Sequence, residues 1–61
     1  MRIRISLPGS PDRETDFDDF CDREGFDRDE LLEIRTTLNN GYEWAGSTPS
    51  GEMFTALRVN R

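Results

Sequence analysis

The chain opens on an alternation. Ile3, Ile5 and Leu7 are apolar, and Arg2, Arg4 and Ser6 between them are polar. A period of two predicts a half-buried strand. Pro8-Gly9-Ser10-Pro11 ends it. Ser10 is placed to cap a helix, with Pro11 at the first helical position, where a missing N–H does no harm. Asp12 and Glu14 then fall in the first turn, where the helix dipole favours negative charge. Phe17, Phe20, Cys21 and Glu24 recur at the spacing of one helical stripe, with Asp12, Asp16, Asp18, Asp19 and Asp22 turned the other way. Gly25 is a left-handed stop for that helix.

A second helix follows at once. Asp27 caps it, and Glu30 three residues on completes the spacing of a capping box. Phe26 is placed to pack on Leu31 as a hydrophobic staple. Leu31, Ile34 and Leu38 make the buried stripe, with Leu32 at its margin and Asp29, Glu30, Glu33, Thr36 and Thr37 opposite. Asn39-Asn40-Gly41 ends the helix. Residues 42–45 and 53–59 read as two strands joined by the loop 46–51. In the second, Met53, Thr55, Leu57 and Val59 are expected to face the core, and Phe54, Ala56 and Arg58 to face outward.

This order predicts a single α+β domain over residues 1–61. The expected topology is β-α-α-β-β, a three-stranded antiparallel sheet with two helices packed on one face. The expected core is Ile3, Ile5, Leu7, Phe17, Phe20, Phe26, Leu31, Ile34, Leu38, Tyr42, Trp44, Met53, Leu57 and Val59. A chain of 61 residues is near the lower limit for a self-supporting core. Thin stability is therefore expected, and a homodimer would add to it.

Charge changes the picture more than size does. Residues 1–11 carry a charge of +2, residues 12–33 carry −8 and residues 34–61 carry +1, giving the net −5. All eight basic residues are arginine. That fits either a GC-rich coding sequence or an acidic surface suited to high salt. The chain has no histidine and one cysteine, Cys21. Zinc fingers, disulfide scaffolds, Ser-His-Asp triads and Cys-His pairs are thereby excluded. No apolar run suits a transmembrane helix, and the first residues lack the apolar stretch of a signal peptide. With no disulfide to form, a cytoplasmic location is expected, without membrane association.

Catalysis is not expected. Carboxylates do acid–base work only where a cleft shifts their pKa, and here they lie on solvent faces of short helices. Calcium ligation of the EF-hand kind fails on spacing: counted from Asp16 the fifth position is Phe20, and counted from Asp27 it is Leu31. Cys21 lies on an apolar stripe and reads as a small core residue. The glycines match neither a P-loop nor a dinucleotide fingerprint. No catalytic residue, metal or cofactor is expected.

Two helices followed by a hairpin resemble the helix-turn-helix and wing of winged-helix DNA-binding domains, with Gly46 to Gly51 as the wing. The resemblance implies a transcriptional regulator whose recognition helix spans residues 26–40. Asp29, Glu30 and Glu33 would meet the phosphates there, so direct duplex binding is not expected. The opposite reading uses the same charges. Asp12, Asp16, Asp18, Asp19, Asp22, Asp29, Glu30 and Glu33, displayed as one patch, would imitate phosphates and occupy a basic, nucleic-acid-binding protein. In size and charge the chain resembles phage-encoded inhibitors of host defence, anti-CRISPR proteins among them. That likeness implies a stoichiometric inhibitor. An alternative surface is the outer sheet face, where Arg2, Arg4 and Arg58 are expected to surround Phe54 in an assembly or dimer patch.

Overall fold

The computed structural model describes residues 1–59. Six elements follow one another: β1 (Arg2–Ser6), β2 (Arg13–Asp16), α1 (Phe17–Glu24), α2 (Arg28–Asn39), β3 (Trp44–Ser47) and β4 (Met53–Arg58). The strands form one four-stranded sheet in the order β2-β1-β4-β3, with every neighbouring pair antiparallel. The α+β class stands, but the expected three-stranded sheet does not. The additional strand is β2, in the segment expected to begin the first helix.

Local chemistry explains the change. Leu7 to Asp12 serve as a turn that sends the chain back along β1, with Ser10 N–H donating to the Leu7 carbonyl at 3.2 Å. Ser6 Oγ donates to the Asp12 carboxylate at 2.8 Å and ties the two ends of that turn. Thr15 is β-branched and pairs with Ile3, so the β-ladder claims the residues that the Ser10 cap would have fed into a helix. The helix starts instead at Phe17. Asp16 is its cap, accepting from the backbone N–H of Asp18 at 3.1 Å and of Asp19 at 3.3 Å.

The other predicted helix signals fall where expected. Gly25 ends α1 with φ at 79°, a value that favours glycine. Asp27 caps α2 by accepting from the Glu30 N–H at 2.8 Å. The end of α2 is a Schellman motif, in which Gly41 N–H donates to the Leu38 carbonyl and Tyr42 N–H to that of Thr37.

Both helices cover the same side of the sheet, α1 approaching β2 and α2 approaching β3 and β4. Residues paired across the antiparallel ladders share a face. The covered face therefore carries Ile3, Ile5, Phe54, Ala56, Trp44 and Gly46, with large side chains beside small ones. Ile5 and Trp44 flank Ala56, and Phe54 lies beside Gly46. A Cβ on Gly46 would stand 3.2 Å from Trp44 Nε1, a tight contact that the indole could relieve only by shifting a few tenths of an ångström. That indole N–H is buried and finds no acceptor among the described residues.

This arrangement reverses the expected faces of β4. Phe54 and Ala56 are 2% exposed, whereas Met53 and Leu57 are 62% and 41% exposed. Either face of that strand offers apolar residues, so alternation alone does not choose between them. The choice falls to Phe54, whose ring meets Phe20 at 5.4 Å and Phe26 at 5.9 Å between centroids, while Phe20 and Phe26 lie 5.8 Å apart. Tyr42 is likewise exposed rather than in the core, because it precedes β3 instead of lying in it. Leu7, Leu31 and Trp44 pack on the core from its edge, and Cys21 joins it.

Phe54→Ala should therefore cost about 3–5 kcal/mol and leave little folded protein, whereas Met53→Ala should fall within about 0.5 kcal/mol of wild type. Chemical denaturation of the two variants checks this, and equal losses would contradict the face assignment. The cap on α1 gives a pH test. The Asp19 N–H is the main group lowering the Asp16 pKa from 3.8, with help from the Met1 ammonium and the Asp18 N–H. A carboxylate stabilised in the folded state contributes fully above the unfolded pKa. The contribution is lost as pH falls through 3.8 toward the lower folded value. Asp16→Asn keeps a capping oxygen without the charge. Melting curves from neutral pH downward should show a smaller acid-induced loss for that variant than for wild type.

Candidate functional site

The helix layer concentrates charge. Residues 17–40 hold eight carboxylates and three arginines, a balance of −5, and the rest of the sequence holds five of each sign. The whole net charge therefore resides in the segment that forms one layer of the fold. Phe17, Phe20, Cys21, Ile34 and Leu38 turn the apolar stripes of both helices onto the sheet. The charged residues of α1 and α2 have only the solvent side left to them.

Not every predicted acidic residue belongs to that layer. Asp12 lies in the β1–β2 turn and is held by Ser6. Asp16 lies in β2 opposite Arg2, and one of its oxygens is 3.5 Å from the Met1 amino nitrogen. Asp18 is on α1, but its carboxylate accepts from Arg35 of α2 at 3.0 Å. The Arg35 guanidinium also lies 5.4 Å from the centroid of the Phe17 ring. One arginine thus neutralises an acid and joins the two helices.

Helical geometry then divides what remains. At about 100° of rotation per residue, Arg28, Leu32 and Arg35 share one flank of α2. Arg35 reaches Asp18, so that flank is the one turned toward α1. Asp29, Glu30 and Glu33 lie on the outer and far sides of α2, and Asp19 and Asp22 on the outer side of α1. The carboxylates form two groups with an arginine-bearing flank between them, rather than one sheet of charge. Asp19, Asp22, Glu24, Asp29, Glu30 and Glu33 enter no side-chain ion pair or hydrogen bond among the described residues. Position on a helical wheel identifies this set in the sequence except for Glu24, which shares the stripe of Phe17, Phe20 and Cys21. The capture of Asp18 by Arg35 is 17 residues distant in sequence and leaves no local trace.

The alternative surface is also rearranged. Arg2 and Arg4 are on the uncovered face of the sheet, with Glu14 3.9 Å from Arg2. Phe54 is in the core instead of on that face. Arg58 pairs with Ile3 and so projects to the helix side, at the end of β4. The apolar residues that do reach the uncovered face are Met53, Leu57 and Ala45. A shallow depression of about 390 Å³ opens beside Met53, lined also by Ser6, Leu7, Pro8, Ala45, Phe54 and Thr55.

Among the described residues, no three Cys, Asp or Glu side chains are grouped to hold a metal ion. No helix among the described residues is long and apolar enough to cross a membrane. Burial, reinforced by the Asp18 carboxylate, pushes the Cys21 thiol up to about 11. Compared with known proteins, the chain matches no family model, no curated protein and no solved structure.

Cys21 is 2% exposed and stays protonated at neutral pH, so it offers almost no thiolate. Native protein at pH 8 should react with a thiol reagent at least a hundredfold more slowly than the same protein in denaturant. A thiol that reacts at similar rates in both states would contradict its place in the core.

Proposed function

We propose that this chain is a non-enzymatic binding protein whose acidic helix layer occupies a basic, nucleic-acid-recognising surface on another protein. The reading is carried by one observation: the net charge of −5 lies wholly in residues 17–40, on the layer away from the sheet. Such a layer attracts an arginine- or lysine-rich surface over a Debye length, which speeds the encounter. Charge-assisted bonds from arginine to Asp19, Asp22, Asp29, Glu30 and Glu33 then hold the complex. The partner gives up its contact with phosphates, so binding and inhibition are the same event. Two carboxylate groups separated by an arginine-bearing flank suit a partner with two basic strips better than one with a single broad patch. A phage inhibitor of a nucleic-acid-dependent defence system is one protein of this kind.

The test is charge reversal. Asp19→Arg with Asp22→Arg changes the layer from −5 to −1 and should slow association with an immobilised arginine-rich peptide from a nucleic-acid-binding domain at least tenfold. Asp29→Arg with Glu33→Arg should do the same. Duplex DNA should compete for the peptide, and raised salt should weaken the wild-type complex. Wild-type association by both reversed variants, or no competition from DNA, would overturn the reading. Arg35→Met works in the other direction. It removes the cation while keeping a stem over Phe17, so it frees Asp18 and should tighten peptide binding a few-fold. Its cost in stability should be about 0.5 kcal/mol, measured by denaturation.

A further inference from the structure

We propose that the uncovered face of the sheet is the interface of a homodimer, in which two copies stack sheet against sheet and leave both helix layers facing outward.

Inward alternation commits Ile3, Ile5, Phe54 and Ala56 to the helices, so Arg2, Arg4, Thr55, Leu57, Met53 and Ala45 are left on the other side. Met53 and Leu57 are two of the five exposed large apolar side chains among the described residues, at 62% and 41%. The depression beside Met53 gives a second copy something to fill. Arg2, Arg4 and Glu14 stand toward the β2 side of this apolar area, the polar rim that protein interfaces carry.

Charge selects the occupant. Two copies brought together by their helix layers would oppose −5 with −5. Among the described residues, the strands β1 and β2 give the uncovered face Arg2 and Arg4 against Glu14 and Asp16, equal numbers of each sign. It is the broad surface that a second copy can approach without net repulsion. Arg4 enters no ion pair among the described residues, so its guanidinium is left to meet a carboxylate of the second copy. Stacking places the two acidic layers on opposite outer sides, where their repulsion is weakest.

The molecule measures 28 × 28 × 18 Å, the proportions of one sheet under one helix layer. Four strands about 4.8 Å apart and four to six residues long make an uncovered face of roughly 400 Å², the size of a small interface and of a weak dimer. Sheet-on-sheet packing with side chains interleaved over about 10 Å is a stable solution for two such faces. It also adds apolar burial to a 61-residue chain, which is near the lower size limit for a self-supporting core.

Sedimentation velocity over a concentration series reaching hundreds of micromolar tests the proposal. Wild type should move from the 7.1 kDa monomer toward twice that mass as concentration rises. Met53→Glu with Leu57→Glu should raise the dimer dissociation constant at least tenfold. Met53→Ser with Leu57→Ser should weaken the dimer less, separating lost apolar contact from added repulsion. Circular dichroism on each variant checks that the fold is intact, as expected for exposed positions. Asp19→Arg with Asp22→Arg should leave the dimer in place, which keeps this test independent of the acidic-layer reading. A wild-type monomer across the whole series would overturn the proposal. So would a dimer that persists in the Met53, Leu57 glutamate variant, since that would indicate another interface such as edge pairing through β3.

Discussion

Three phenylalanine rings decide most of this structure. Phe20 comes from α1, Phe26 from the link between the helices and Phe54 from β4, and each ring touches the other two. Tilted aromatic pairs add about 0.5–1.5 kcal/mol beyond the area they bury. More important here is what the contact constrains. Phe54 can reach the other rings only if β4 presents its even-numbered residues to the helices. That choice sends Met53 and Leu57 to the opposite face and buries Ala56 between Ile5 and Trp44. The face available for association is thus settled by a contact inside the core.

The carboxylates show how a single residue type is divided among tasks. Asp16 and Asp27 terminate helices by accepting backbone N–H groups that would otherwise lack partners. Asp12 closes a turn, and Asp18 is held by an arginine from the neighbouring helix. These four are occupied by folding. The outward set on α1 and α2 is not, and its mutual repulsion weakens a small domain that has little stability to spare. A surface that costs stability without serving the fold is where a binding role is best sought. The two faces of the molecule then divide the work proposed for them, one charged and turned to a partner protein, the other neutral and partly apolar.

The second helix and its ends were legible in the sequence because their signals are local. Asp27, Gly25 and the Asn40-Gly41 pair act within a few residues of themselves, and the structure uses each as a cap or stop. The first helix was not legible at its start. Ser10-Pro11 and Asp16 are both sound caps, and local propensity does not rank them. Pairing of Thr15 with Ile3 ranks them, and that contact lies 12 residues away along the chain. The candidate site was legible in part. Asp19, Asp22, Asp29, Glu30 and Glu33 follow from helical periodicity, whereas the capture of Asp18 depends on Arg35, 17 residues away, and the placing of Asp12 and Asp16 on the sheet side depends on the missed strand.

By itself, then, the sequence determined the α+β class, the covering of one sheet face by two amphipathic helices, and the confinement of the net charge to the helical segment. These follow from periodicity and composition, which need no knowledge of distant contacts. Tertiary structure alone decided that there are four strands, that Phe54 is inside while Met53 and Leu57 are outside, and that Arg35 divides the acidic surface. Each of those outcomes is a competition between two locally acceptable arrangements. Such competitions are resolved by partners far away in the chain, which bury more apolar surface or pair more charge in one arrangement than in the other.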